Sequence, residues 1–213
     1  MELDIVNPSI ERYLEGLLRS RDPWFLEMEE LAKKEDFPAI GPMVGTMLEI
    51  LARSINARRI MELGSGYGYS GLWFARALPP DGYLLLSDFD EDNKVLAEKY
   101  FDMAGKRHLM EFRVGDALAL MKAEARPYDI IFNDVDKELY PKVIEPVYHL
   151  LRVGGLFITD NTLWSGKVAG PPDPCDRVTN AVKDFNRKLN AHPGFLTTWL
   201  PMRDGLSISI KVN

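Results

Sequence analysis

The feature that most constrains this chain is an alternation that sets in near residue 57. Short apolar runs, each closed by a polar or glycine-bearing turn, are followed by stretches of helical length and pattern. Residues 59–63 predict a buried strand, then a glycine-rich turn and a helix over 70–78. Pro79-Pro80-Asp81-Gly82 predicts a turn before a strand at 83–87. Asp90 is placed to cap a helix that runs to Met103. Strands at 110–114 and 128–133 follow, with a short helix from Leu118 between them, then a helix over 140–150 and a strand at 156–159. Regular β-α alternation implies a parallel sheet with helices on both faces. Beyond a Pro/Gly-rich loop at 168–176 comes a helix to Ala191. Two strand-like runs at 195–200 and 206–212 follow, and their short connection containing Asp204-Gly205 favours a hairpin. Ahead of the alternation, Asn7-Pro8 and Asp22-Pro23 each set a capping residue before Pro at a first helical position, and Gly41-Pro42 opens a third helix. The expected fold is α/β: a Rossmann-like, doubly wound, seven-stranded and mostly parallel sheet, a C-terminal antiparallel hairpin at its edge, and an N-terminal helical extension. With no linker-like shift in composition, residues 1–213 are expected to form one domain, 1–56 as helices and 57–213 as the core.

Composition removes several function classes. The chain has 213 residues and a formal net charge of −6, which argues against nucleic-acid phosphates as partners. A single Cys cannot form an internal disulfide, and three His with it leave no zinc-site spacing. No apolar run approaches the roughly 18–20 residues that span a bilayer. Met1-Glu2-Leu3-Asp4 does not read as a secretory signal. A cytoplasmic setting without membrane attachment is the expectation.

The turn after the first strand reads Glu62-Leu63-Gly64-Ser65-Gly66-Tyr67-Gly68. Glycines there let backbone approach a ligand closely. The spacing is G-x-G-x-G rather than the G-x-G-x-x-G of dinucleotide binding, and Tyr69 stands where that pattern wants its last glycine. Glu62 beside the loop would repel a diphosphate, whereas a cationic sulfonium ligand with its amino group would tolerate it. Asp88 follows Gly66 at close to the ~20-residue offset at which a carboxylate binds ribose hydroxyls. Asp116, after the third strand, fits either a contact near an adenine edge or a helix cap. Together these features describe a nucleoside-containing cofactor across the carboxyl ends of strands one to three.

A second cluster closes strands four and five: Asn133-Asp134-Val135-Asp136-Lys137 and Asp160-Asn161. One β-α-β repeat separates Asp134 from Asp160, which puts both at the same sheet edge. Two close carboxylates repel unless a proton or a cation lies between them. With the Asn161 carbonyl they offer three oxygen ligands suited to Mg²⁺ or another hard divalent ion. The plainer alternative is two strand-end residues that cap the next helices. Lys137 reads either as a general base at the same mouth or as a solvated partner for Asp136 or Glu138.

At this point the chain resembles the class I S-adenosylmethionine-dependent O-methyltransferases of the cation-dependent group, which includes caffeoyl-CoA and catechol O-methyltransferases, and especially their small bacterial members. The resemblance rests on Met61-Glu-Leu-Gly-Ser-Gly-Tyr-Gly-Tyr-Ser70, Asp134-Val-Asp-Lys137, Asp160-Asn-Thr-Leu-Trp-Ser-Gly166 and Asp204-Gly205-Leu206, and runs from about Phe37 to the end. It implies that Glu62, Gly64, Ser65, Gly66, Tyr67 and Ser70 hold the methionine half of S-adenosyl-L-methionine. Asp88 would hold the ribose, Asp116 and Ala117 would lie near the adenine, and the segment from Ile40 to Gly45 would cover the cofactor. It also implies Asp134, Asp160 and Asn161 as metal ligands, with Asp134 beside the cofactor too, Lys137 as base, and Trp164 at the acceptor pocket. A small acceptor with adjacent hydroxyls and a homodimer are further implications. Departures from the family pattern are Asn133 before the metal Asp, Pro42-Met43-Val44 before Gly45, and Arg203 before Asp204. Two competing readings stay open: an NAD-dependent oxidoreductase, since Asp88 could also bind its ribose, and a non-catalytic protein with a vestigial cofactor pocket.

Overall fold

The computed structural model describes residues 5–19 and 21–213. Helices α1 (Pro8–Gly16), α2 (Pro23–Lys34) and α3 (Gly41–Ser54) come first. The alternation then runs β1 (Arg59–Leu63), α4 (Tyr69–Ala77), β2 (Tyr83–Asp88), α5 (Glu91–Met103), β3 (Met110–Val114), α6 (Ala117–Ala123), β4 (Tyr128–Asn133), α7 (Tyr140–Leu150), β5 (Leu151–Thr159), α8 (Arg177–Ala191), β6 (Phe195–Leu200) and β7 (Leu206–Lys211). Asn7 caps α1 by accepting from the Ser9 amide at 2.9 Å. Asp22 does not use its side chain as a cap; it pairs instead with Arg76 on α4 at 3.0 Å.

One seven-stranded sheet carries the order β3-β2-β1-β4-β5-β7-β6. The order reverses between β1 and β4, and that switch point is where open α/β sheets bind ligands. The hairpin is present, but its arrangement corrects the simple picture of a hairpin hung on the edge. The last strand, β7, inserts antiparallel between β5 and β6, so it alone runs against the other six. β5 is also longer than the expected 156–159. Gly154 and Gly155 look like a turn in sequence, yet a register shift between Tyr128 and Ile130 lets the strand continue back to Leu151.

Each strand offers alternate side chains to two apolar layers. Ile60, Leu84, Leu86, Ile130, Phe132 and Ile158 pack towards α2–α5, while Met61, Leu63, Leu85, Ile131 and Phe157 pack towards α6–α8. Burying so many large side chains, each contributing about 1.5–3 kcal/mol, fixes the sheet firmly enough to hold its loops in place. Helix α1 contributes no buried residue to either layer. No helix among the described residues is long and apolar enough to cross a membrane.

Candidate functional site

The site is built on the carboxyl ends of β1, β2, β4 and β5. After β1 the chain must turn beneath the β4 loop, and Gly64 makes that possible. Its φ is +79°, and a Cβ there would collide with the Asp134 carbonyl. Ser65 bonds twice across to β2: its Oγ accepts from the Ser87 amide at 3.0 Å, while its own amide donates to the Ser87 carbonyl at 2.8 Å. Asp88, the last residue of β2, accepts from the Gly66 amide at 3.0 Å through Oδ2. Its Oδ1 accepts from the Asp90 amide at 3.0 Å and Asn93 Nδ2 at 3.1 Å. The ribose-binding candidate is therefore fixed by its own loop before any ligand arrives.

A cavity of about 240 Å³ opens between this loop and residues 37–40. It is lined among others by Ile40, Gly64, Ser65, Gly66, Ser70, Asp88, Asp134, Lys137 and Asn161. The structure thus brings most of the expected cofactor residues together with the expected metal and base residues. Glu62 lies beneath the loop, fully buried, with Ser70 Oγ donating to its Oε1 and with Oε2 unpartnered. Burial pushes its carboxyl well above the usual range, Ser70 partly opposes that, and the negative Asp134 and Asp88 add to it. Such a group favours a cation nearby.

Not every expected cofactor residue lines the cavity. The Tyr67 ring packs on Phe37 with centroids 4.6 Å apart, and its hydroxyl donates to the Met28 carbonyl at 3.1 Å, so it braces the loop against α2. Asp116 caps α6 by accepting from the Ala119 amide at 2.7 Å. Asp116 and buried Ala117 sit outside the cavity but adjoin it, since the Gly115 amide donates to the Asp88 carbonyl at 2.9 Å.

Asp134 and Asp160 stand one residue past the paired ends of neighbouring strands, where Asn133 is in register with Thr159. The Asp134 amide donates to Leu63 at 2.8 Å and the Asp160 amide to Asn133 at 3.2 Å, which holds both turns to the sheet. Burial, with the charge on Asp134, raises the Asp160 carboxyl to about 7 against the opposing Asn161 amide, Lys137 and Arg203. Asp134 is raised too, by burial, with Lys137 pulling the other way. Lys137 Nζ donates to Asp134 Oδ1 at 2.9 Å rather than pairing with Asp136 or Glu138. Its ammonium also lies 5.8 Å from the centroid of Trp164. That places Trp164 beside the candidate base, although it lines neither the cavity nor the larger cleft next to it.

A resident cation can be tested against these residues. Asp160 Oδ1 is buried without a partner, and two raised carboxylates share one edge. Asn161 spends its Nδ2 on Asp204 at 3.4 Å, which leaves its Oδ1 as a ligand. Among the described residues no group of three or more His, Cys, Asp or Glu side chains converges. The set is instead two carboxylates and an amide, all hard oxygen donors, and it fits a Mg²⁺-like ion that keeps water or acceptor oxygens in its other positions.

Sequence reasoning missed two contributors. Asp204 organises the 161–165 loop: its carboxylate accepts from the Ser165 amide as well as from Asn161, and its carbonyl accepts from the Leu163 amide at 3.0 Å. Arg203 donates from Nη1 to the Ala39 carbonyl at 2.6 Å, tying the hairpin to the segment over the cavity. The sequence signals both only indirectly, Asp204 as part of the resemblance and Arg203 as a departure from it, and neither signal assigns a role in the site.

The family model described as O-methyltransferase matches residues 24–212. The chain belongs to the O-methyltransferase family. It is 36% identical over 179 residues to caffeoyl-CoA O-methyltransferase 5 of Nicotiana tabacum, covering 79% of this chain and 75% of that protein. It is 32% identical over 213 residues to a catechol O-methyltransferase of Niastella koreensis, covering 95% and 96%. Among solved structures, the O-methyltransferase TomG of Streptomyces achromogenes, in complex with S-adenosylmethionine, superposes with a TM-score of 0.87 at 30% identity over 96% of each chain. These findings bear out the resemblance to class I S-adenosylmethionine-dependent O-methyltransferases and the Rossmann-like sheet.

Proposed function

We propose that this O-methyltransferase moves the methyl group of S-adenosylmethionine to one hydroxyl of a small acceptor with two adjacent hydroxyls, and that it needs a divalent cation to do so. The observation that carries the reading is the shared cavity, where Gly64, Ser70 and Asp88 meet Asp134, Lys137 and Asn161. The methionine half of the cofactor would lie on residues 64–70 above Glu62, its ribose on Asp88, and its adenine towards Asp116 and Ala117. Glu62, buried beneath the loop with Oε2 unpartnered, supports a cationic sulfonium and ammonium there more than the diphosphate of an NAD reading.

A phenol with pKa near 10 is ionised about one part in a thousand at pH 7, roughly 4 kcal/mol uphill. Asp134, Asp160 and Asn161 would hold the cation, most simply Mg²⁺, which when bound would supply a charge that stabilises the ionised acceptor oxygen. Lys137 Nζ would receive the hydroxyl proton. To do so it must first lose a proton to solvent and loosen its pairing with Asp134. The oxygen would then attack the methyl carbon in line with the departing sulfur. Such a transfer offers the protein no covalent handle, so holding the two reactants in line supplies much of the rate. Trp164 would stand beside Lys137 rather than against the acceptor, since it lines neither cavity.

The proposal includes a cytoplasmic setting and a homodimer through the N-terminal helices. Ile10, Tyr13 and Leu14 on α1, with Leu17 just after it, supply the support for the dimer as an exposed apolar stripe. Titration calorimetry tests the cofactor half. Micromolar binding of S-adenosylhomocysteine, without NADH binding, is the expected result; NADH binding alone would reverse it.

A further inference from the structure

Beside the cofactor cavity lies a wider cleft of about 550 Å³ that ends on Asp160 and Asn161 and has Arg203 on its wall. A cleft of that size accommodates a small aromatic acceptor. The other charged groups on its lining are Glu11, Asp160 and Asp204, all carboxylates, so Arg203 is its one cation among the described residues. The guanidinium is exposed and carries five N–H donors in a planar fork. One donor goes to the Ala39 carbonyl at 2.6 Å, and among the described residues Arg203 makes no ion pair. Among the described residues the rest of the fork is unspent. Its backbone sits at φ +48°, a region that glycine occupies more cheaply. A turn that only reversed the chain would not call for a long cationic side chain there.

Building on the proposed reaction, we infer that Arg203 selects the acceptor: a vicinal-hydroxyl aromatic that carries a carboxylate, with its hydroxyls at Asp160 and Asn161 and its carboxylate on the guanidinium fork. Away from the proposed cation, a carboxylate elsewhere in this cleft would meet only Glu11 and Asp204, so Arg203 would hold the carboxylate end while the hydroxyl end faces Asp160 and Asn161. The planar fork matches a carboxylate through two parallel N–H···O bonds, which adds orientation to attraction.

The test compares 3,4-dihydroxybenzoate with its uncharged isostere 3,4-dihydroxybenzamide, and with catechol, by initial rates of S-adenosylhomocysteine formation. The wild-type protein is expected to prefer the benzoate over the benzamide in kcat/KM. Arg203→Gln is expected to lower that ratio by about tenfold to a hundredfold, and Arg203→Lys to keep part of it. Calorimetric affinity for S-adenosylhomocysteine in both variants separates selection from the tie to Ala39. A lost ratio at little-changed affinity supports the inference. A wild-type ratio near one, or a ratio that survives Arg203→Gln, overturns it while leaving the proposed function standing. Turnover of none of the three acceptors by the wild type overturns both.

Discussion

The two ends of the sheet treat the same residue type in opposite ways. At the amino end of β4, Asp129 accepts from the Arg58 and Arg59 amides at 2.7 and 2.8 Å and pairs with Arg152. Burial alone would raise its carboxyl, but Arg152 and the two amides outweigh it and hold the group below the usual range. Nearby, the Arg59 guanidinium is sandwiched 4.1 Å from Tyr83 and 4.4 Å from Tyr128 and bonded to Glu124 at 2.9 Å. At the carboxyl end of β5, Asp160 has an unpartnered buried oxygen and a raised carboxyl. A saturated carboxylate anchors a fold. An unsaturated one lowers stability and is retained where a ligand will satisfy it.

The largest way to break that contrast is chemical. Lys137→Ala and Asp134→Ala are each expected to lower kcat by about 10²–10⁴-fold, read from catechol turnover at saturating cofactor. Asp129→Asn should leave kcat within about twofold, because its partners all lie at the opposite end of the strand.

Stability should separate the two ends by sign. In chelator at pH 8, Asp129→Asn is expected to cost about 1–3 kcal/mol by removing charge-assisted bonds. Asp160→Asn is expected to add roughly 1–3 kcal/mol by removing a buried, unpaired charge. Thermal melts of the two variants check this, at about 2–4 °C per kcal/mol for a chain of this size. The pH dependence follows the same logic. A lowered carboxyl such as Asp129 gives stability that is present above the unfolded pKa and lost as pH falls through the folded one. A raised carboxyl such as Asp160 gives stability that is present below about 4 and lost as pH rises towards about 7. Melts from pH 4 to 8 should therefore shift less in Asp160→Asn than in the wild type. Identical profiles would contradict the contrast.

A smaller effect is expected at the cofactor loop. Asn93→Ala removes one of the bonds that fix Asp88, and should weaken S-adenosylhomocysteine binding by about threefold to tenfold without lowering kcat at saturation. An unchanged affinity would mean that the Asp90 and Gly66 amides suffice.

Much of this site was legible in the sequence because its signals are local. The β4 boundaries, Tyr128–Asn133, follow from an apolar run that ends in Asn133-Asp134, and the glycine turn follows directly on β1. The limits of that legibility are also physical. Gly154-Gly155 reads as a stop, but register pairing with β4 carries β5 through it. Asp116 and Tyr67 sit at the expected places in the chain, yet a cap bond and packing on Phe37 and α2 use their side chains. Asp204 and Arg203 reach the site only because β7 pairs with β5, which brings Ser207 opposite Thr159. No short-range pattern encodes such a contact.

The central claim is that Asp134 and the unsatisfied Asp160 at the carboxyl end would hold a cation that the methyl transfer requires. Its most direct test is turnover of a catechol with S-adenosylmethionine before and after EDTA, with S-adenosylhomocysteine affinity measured on the same samples. The account predicts that chelation suppresses turnover far more than cofactor affinity and that added Mg²⁺ restores it. Full activity in EDTA would contradict it.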